Sequence, residues 1–185
     1  MADIDSLLRK KYGPEYKKKI EYFKAAAPDA VVAGERIGVD PKLLLTQTAL
    51  ESGWGRSGLA VRANNLAGVK AKPGQPFVEE ESAEGYGPNE RMVKSKFVTY
   101  PSKGSFFEDW SGFLKNKRYA EAIKQKDPEA YARTIGKAGY YTGDQNVYAN
   151  NMKRIYKDID KMMLDPDVIG QRINDSTMAG GGGTK

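Results

Sequence analysis

The strongest structural signal in the chain is the segment Asp40-Pro-Lys-Leu-Leu-Leu-Thr-Gln-Thr-Ala-Leu-Glu51-Ser-Gly-Trp-Gly55. Aspartate followed by proline favours a helix start, because aspartate caps the free N–H groups of the first turn and proline fits the first helical position. Good helix formers continue to Leu50, and the following glycines end the helix. The pattern predicts a mostly apolar helix that carries the carboxyl group of Glu51 in its last turn.

This position has chemical consequences for Glu51. Apolar neighbours and the negative end of the helix dipole would both raise the pKa of its carboxyl group. A carboxyl group that stays protonated near neutral pH is what a general acid needs in order to protonate a glycosidic oxygen. The alternative interpretation is an ordinary glutamate at a helix end that points into water.

The composition narrows the chemistry further. The 185-residue chain has the length of a single domain with tails, and it contains neither cysteine nor histidine. Thiolate zinc sites, cysteine nucleophiles, imidazole ligands and histidine bases are therefore excluded, which leaves carboxylates, lysine, tyrosine and hydroxyls for proton transfer. No carboxylate spacing matches a calcium loop, so we predict no metal site and no cofactor. The net charge of +6 comes without a nucleic-acid-binding motif, so no nucleic acid is expected as partner.

Helical patterns extend outward from the central segment on both sides. Residues 3–24 are predicted to be helical with a break at Gly13-Pro14, and a second helix is predicted from Pro28 to Ile37. Between Phe77 and Tyr100 the pattern changes to extended chain, which predicts a small antiparallel element. After Pro101 helices resume. We expect Ser102 to cap a helix that buries Phe106, Trp110 and Phe113, and a last helix to bury a stripe of Tyr148, Met152, Ile155, Ile159 and Met163.

Longer motifs carry a resemblance to a known family. Thr48-Ala-Leu-Glu-Ser-Gly-Trp-Gly55 is followed by Asn64-Asn-Leu-Ala-Gly-Val-Lys70. Together they strongly resemble glycoside hydrolase family 73, the glucosaminidases of flagellar rod-associated peptidoglycan hydrolases and phage lysins. The resemblance covers roughly residues 28 to 160, in order, and includes the segments 96–100, 105–114, 118–120, 138–142 and 148–149.

The resemblance implies an α+β fold, mostly helical and lysozyme-like, with a small antiparallel β-hairpin lobe. It also implies an endo-β-N-acetylglucosaminidase that cleaves the glycan strand of peptidoglycan, with Glu51 as the general acid. A muramidase or a lytic transglycosylase is the nearest alternative function. A non-catalytic cell-wall-binding or structural module of a virion is an alternative of a different class.

The second catalytic carboxylate is expected on the hairpin. The resemblance places it at Glu84, counting back from Lys96-Phe97, with Glu79 as another acidic position. Such a group would act as a nucleophile in a retaining enzyme or activate water in an inverting one, and the substrate's N-acetyl group could replace it. For residues 79–81, a solvated acidic strand paired with Lys94 and Lys96 is the alternative.

The same resemblance suggests further site residues. Trp54 would shape the cleft beside the acid, although a buried structural role fits it equally well. Asn65 and Lys70 would hold the following loop and contact the substrate. Tyr140 would serve catalysis by bonding the N-acetyl group or orienting water, and Tyr141 would stack on a sugar ring.

The resemblance also divides the chain. Residues 1–27 are predicted to be a helical extension, 28–163 the catalytic domain, and 164–185 a flexible tail with the linker-like run Gly180 to Gly183. We expect peptidoglycan as the main partner, and other virion or assembly proteins at the extensions. The start of the sequence lacks a secretory signal and no apolar segment could span a membrane. We therefore expect a phage virion protein, or one delivered to the bacterial periplasm or cell wall.

Overall fold

The computed structural model describes residues 3–84, 88 and 90–169, and for Glu84 the backbone alone. It confirms the predicted fold class, a mostly helical chain with one small antiparallel hairpin. The elements in chain order are α1 (Ile4–Tyr12), α2 (Tyr16–Ile37), α3 (Pro41–Ser52), α4 (Gly58–Ala63), β1 (Phe77–Glu84), β2 (Arg91–Val98), α5 (Lys103–Leu114), α6 (Ala120–Ile123), α7 (Pro128–Lys137) and α8 (Gln145–Leu164), with a short 3-10 turn at Lys117–Tyr119.

Helix α3 is the centre of the fold and begins and ends as the sequence predicts. The carboxylate of Asp40 accepts a hydrogen bond from the backbone N–H of Lys42, and Gly53 ends the helix in the left-handed conformation. Residues 43–49 are all buried, and the helix packs against α2 and α8. The hydroxyl groups of Thr46 and Thr48 donate to carbonyls one turn earlier, so these buried polar groups are satisfied within the helix.

Helix α2 differs from the prediction because it begins at Tyr16 and runs through Pro28 without a break. Proline in a helix interior removes a hydrogen bond and costs about 3 kcal/mol. Here both halves bury the same face, with Phe23 before the proline and Ala30 after it. This shared packing outweighs the local preference for a new helix at Pro28. The predicted boundary between residues 27 and 28 consequently falls inside one continuous helix.

Helix α5 is capped by Ser102 as predicted, but its buried face is not the predicted one. The hydroxyl oxygen of Ser102 accepts from the N–H of Ser105 at 3.1 Å. Phe106 and Trp110 are buried, whereas Phe113 is 52% exposed, and Phe107 occupies the buried position instead. The stripe is displaced because α5 packs against α2, which covers one side of the helix and leaves Phe113 on the other.

The hairpin of β1 and β2 has the charge pattern expected from the sequence. The antiparallel register pairs Glu79 with Lys96 and Glu81 with Lys94, so opposite charges face each other across the strands. The predicted turn segment at 85–87 and 89 lies outside the described residues, as do residues 170–185 of the predicted tail. Over the described part of the chain, no helix is both long and apolar enough to cross a membrane.

The two ends of the described chain are joined by a buried polar cluster. The hydroxyl of Tyr12, at the end of α1, donates to the carboxylate of Asp165 at 2.5 Å. Lys11 forms an ion pair with the same carboxylate at 2.6 Å, and the Asp165 side chain is only 1% exposed. Burial by itself would raise the pKa of Asp165, but the bonds from Lys11 and Tyr12 outweigh it and lower the pKa. This cluster links α1 to the end of α8 by hydrogen bonds and an ion pair.

We expect Tyr12→Phe to lower the free energy of unfolding by about 1–3 kcal/mol, because it removes a donor from a buried carboxylate. Urea denaturation followed by circular dichroism measures this change. Tyr16→Phe is the matched control, since the hydroxyl of Tyr16 donates to the exposed Asp5 and its loss should have a clearly smaller effect. Equal losses in the two variants would contradict a structural role for the cluster.

Candidate active site

A cleft of about 850 Å³ opens where α3 ends. Its lining comes from the last turn of α3, from residues 67–75 of the loop before β1, from α5, and from the turn at 140–141. Glu51, Lys70, Tyr140 and Tyr141 all line this cleft. The structure therefore brings together four of the residues that the sequence analysis singled out.

The turn after α3 sets the direction in which Glu51 leaves the core. Gly53, Trp54 and Gly55 all have positive φ, a conformation that is uncommon for a tryptophan. The hydroxyl of Ser52 holds this turn, since it donates to the carbonyl of Thr48 and accepts from the N–H of Gly55. The chain turns sharply away, so Glu51 lines the cleft from the end of a rigid helix.

The carboxyl group of Glu51 has the environment of a proton donor. It is reached by solvent through the cleft, yet protein surrounds it on its other sides, and this burial raises its pKa. The hydroxyl of Tyr148 donates to Oε1 at 2.8 Å and opposes the shift, because a donor stabilises the charged form. Burial is the larger effect, so the pKa of Glu51 lies above its ordinary value.

Tyr148 is itself held in place by Tyr141. The two rings stack with centroids 3.8 Å apart and planes tilted by 16°. The hydroxyl of Tyr141 donates to the carbonyl of Ala132 at 3.0 Å. One face of Tyr141 is thus covered by protein, and this contact orients the hydroxyl that binds Glu51.

Tyr140 faces the cleft from a neighbouring position. Its hydroxyl accepts a hydrogen bond from Nε1 of Trp110 at 3.0 Å. Burial, followed by the charge of Glu51, raises the pKa of Tyr140 well above its ordinary value. The phenol therefore stays protonated at neutral pH and can donate a hydrogen bond to a group in the cleft.

Trp54 and Asn65 lie outside the cleft lining. Trp54 packs edge-on against Tyr22, with centroids 5.7 Å apart, and this position fits the structural alternative. Asn65 is buried, and its amide accepts from the N–H of Val69 at 2.9 Å and donates to the carbonyls of Val69 and Val98. Asn65 thus holds the loop that lines the cleft.

Glu84 ends β1, and its backbone pairs with Arg91. Its side chain lies outside what the structure describes. Among the described residues that line the cleft, the acidic ones besides Glu51 are Glu108 and Asp109 of α5, which the sequence analysis did not single out. No group of three or more acidic, cysteine or histidine residues suited to a metal ion occurs in the described ranges.

Two residues in or beside the cleft were placed in the core by the sequence analysis. Tyr148 was assigned to the apolar stripe of the last helix, and Phe113 to the buried face of α5. Phe113 lines the cleft with half of its surface exposed. A helical pattern shows spacing along one helix but not which neighbour covers it, so only the partly polar nature of tyrosine hinted at a second role.

Known proteins match the chain over most of its length. Residues 27–161 match the family model of glucosaminidases, described as mannosyl-glycoprotein endo-beta-N-acetylglucosaminidase. The peptidoglycan hydrolase FlgJ of Vibrio parahaemolyticus is 32% identical over 142 residues, which cover 73% of this chain and 46% of that protein. The match thus spans less than half the length of this relative.

Solved structures share the fold. A peptidoglycan hydrolase mutant from Sphingomonas sp. A1 superposes with a TM-score of 0.66 at 29% identity, over 74% of this chain and 92% of that one. A C-terminally truncated glycoside hydrolase domain of FlgJ from Salmonella typhimurium gives 0.61 at 31% identity, over 77% and 97% of the two chains.

The hydrogen bond from Tyr148 should be measurable in the titration of Glu51. We expect carbon-13 NMR to place the pKa of Glu51 above the ordinary value of 4.5. Tyr148→Phe should raise this pKa further, because it removes a donor that stabilises the charged carboxylate. Tyr156→Phe, also on α8 but directed at Asp40, should leave it unchanged. A lower pKa in Tyr148→Phe would contradict the described geometry.

Proposed function

Since the chain belongs to the glucosaminidase family, we propose that it hydrolyses the glycan strands of peptidoglycan as an endo-β-N-acetylglucosaminidase. The membership agrees with the resemblance found in the sequence. The observation that carries the proposal is the carboxyl group of Glu51, which lines a large cleft, has a raised pKa and is fixed by Tyr148. The name of the bacterial relative, a peptidoglycan hydrolase, supports the choice of substrate.

Glu51 would act first as the general acid. In its protonated form it donates its proton to the oxygen of the scissile bond as that bond breaks. The raised pKa increases the protonated fraction near neutral pH, and Tyr148 keeps the carboxyl group in one orientation. As pH rises through the pKa of Glu51, the proton is lost and activity should fall.

The positive charge that develops on the sugar requires a second group. We propose Glu84 for this role, because β1 carries it to the end of the hairpin and the family resemblance points to the same position. As a nucleophile it would lie about 5 Å from the acid, and as a base activating water roughly 6.5–9.5 Å away. A hairpin that closes on bound substrate could bring the groups to these distances. In a substrate-assisted reaction the N-acetyl group of the sugar would take this role instead.

Tyr140 is proposed to assist by donating a hydrogen bond to the N-acetyl group or to the attacking water. Its phenol stays protonated because of burial, and the indole of Trp110 fixes its hydroxyl at 3.0 Å. A fixed donor of this kind stabilises charge without reorganising during the reaction.

The proposed place of action follows from the substrate and is the bacterial cell wall. Three further expectations stay predictions. They are delivery by a phage virion, contacts of the terminal extensions with assembly proteins, and the division of the chain at residues 27 and 163. The relative FlgJ of Vibrio parahaemolyticus is a bacterial protein.

Phe113 is proposed as a sugar-stacking residue of the cleft in addition to Tyr141. Its ring is 52% exposed and lines the cleft, while its neighbours Tyr119 and Tyr140 support it with centroids 5.3 and 6.4 Å away. An exposed aromatic ring beside a catalytic acid offers an apolar face to the C–H groups of a sugar.

The first test is the loss of turbidity of purified peptidoglycan. Glu51→Gln should lower the rate by about 10²–10⁴-fold, since the amide cannot donate a proton as an acid does. Glu121→Gln, which changes an exposed glutamate on α6, is the matched control and should retain full rate. An unchanged melting temperature would show that Glu51→Gln is folded.

Mass spectrometry of the released fragments identifies the bond that is cut. N-acetylglucosamine at the reducing end is expected. Muramic acid at that end would mean a muramidase, and anhydro ends a lytic transglycosylase. No release by the unaltered protein would favour a binding or structural module and would contradict the proposed hydrolase.

The stacking role of Phe113 can be tested by kinetics on soluble glycan strands. Phe113→Ala should raise KM roughly 2- to 10-fold, as expected for a lost aromatic contact of about 0.5–1.5 kcal/mol, and change kcat less. Phe113→Tyr should restore most of the affinity. Phe77→Ala removes an exposed ring outside the cleft lining, and an equal effect there would argue against specific stacking.

A further inference from the structure

The loop that contributes residues 67–75 to the cleft lining is held in place by hydrogen bonds. The amide of Asn65 fixes its start through Val69, and the N–H of Ala71 donates to the carbonyl of Lys96 at 2.9 Å. The following turn closes on itself, since the N–H of Lys72 donates to Oε1 of Gln75 and the N–H of Gln75 to the carbonyl of Lys72. The backbone that presents residues 70 and 72 is therefore held in place.

Two lysines project from this loop into the cleft. Lys70 pairs with Phe97 in an isolated antiparallel bridge, so the chain is extended at this point. Successive residues of an extended chain face opposite ways, so residues two positions apart face the same way. Ala71 packs against the core, while Lys70 and Lys72 on either side of it are exposed and line the cleft.

The acidic residues of α5 that line the cleft, Glu108 and Asp109, have partners outside this loop. Glu108 forms an ion pair with Arg36 at 3.2 Å. Asp109 accepts a hydrogen bond from the hydroxyl of Tyr100 at 2.7 Å. Within the ranges that the structure describes, the ammonium group of Lys72 joins no ion pair.

An uncut peptidoglycan strand offers only one kind of anion to an ammonium group in the cleft. Its N-acetylated sugars are neutral, whereas the stem peptides on muramic acid carry free carboxylates. Resting on the proposed function, we propose that Lys72, which this loop presents to the cleft, binds a carboxylate of the stem peptide. The chain then cuts peptide-bearing strands in preference to strands whose peptides have lost these charges.

The predicted effect on KM is small but should occur only with substrates that carry the stem-peptide carboxylates. Exposed ion pairs contribute weakly, so the loss of the Lys72 charge is expected to change KM by about 2- to 5-fold. Because Lys72 is exposed, the preference should shrink as salt shortens the range of the interaction. The chemical step at Glu51 is not involved, so kcat should stay within about twofold.

The experiment compares three soluble substrates prepared from one batch of glycan strands. The first carries native stem peptides, the second the same peptides with their carboxylates converted to methylamides, and the third has the peptides removed by an amidase, which leaves the lactyl carboxylate. We expect Lys72→Gln to raise KM on the native strands alone and Lys72→Arg to restore it. Lys157→Gln, on an exposed face of α8, is the control and should behave as the unaltered protein on all three.

Each of the other possible results would contradict the proposal, and each would do so for a different reason. Equal KM values of Lys72→Gln and the unaltered protein on native strands would remove the subsite while leaving the hydrolase intact. A loss of similar size on native and methylamidated strands would assign Lys72 a role independent of charge. A loss that persists on stripped strands would move the contact to the lactyl carboxylate. Absence of cleavage by the unaltered protein would instead overturn the proposed function itself.

Discussion

Seven consecutive residues of α3, from 43 to 49, have no access to solvent, and a helix buried on every side needs neighbours on every side. α2 and α8 supply them, and α5 packs in turn against α2. The hydroxyl of Thr48 is bonded to its own helix and to Tyr22, and the amide oxygen of Gln47 accepts a hydrogen bond from Tyr131, while the buried amide nitrogen of Gln47 has no hydrogen-bond partner among the described residues. From the last turn of this helix the carboxyl group of Glu51 reaches the cleft.

Two opposing effects meet at that carboxyl group. Protein on most sides disfavours its charge and raises its pKa, while the hydroxyl of Tyr148 favours the charge. A group exposed in bulk water would lack both, and a fully buried one could not reach a substrate. Placing the acid at the end of a buried helix but inside a cleft gives it a raised pKa, a fixed orientation and access at once.

The cleft has two chemically different sides. α5 presents Trp110 and Phe113, an aromatic surface that leads to Tyr140 and Glu51, while the loop at 67–75 presents lysines. A polymer with neutral sugar rings and anionic peptides has both kinds of surface. The asymmetry of the cleft therefore corresponds to the asymmetry of the proposed substrate.

Much of this could be predicted from local signals in the sequence. Asp40, Pro41 and Gly53 bound α3 because caps and left-handed turns act within a few residues, and alternating charges predicted the pairing of residues 79 and 81 with Lys96 and Lys94. The place of Glu51 in the last turn, the fold class and the family follow from these signals and from the motifs around them. Other features depend on contacts between distant parts of the chain. The bond from Tyr148 to Glu51 joins residues 97 positions apart, Phe113 is exposed because α5 packs on its other side, and α2 crosses Pro28 because both halves share one buried face. Periodicity along a single helix contains no information about the neighbour that will cover it, so only the tertiary structure could assign these roles.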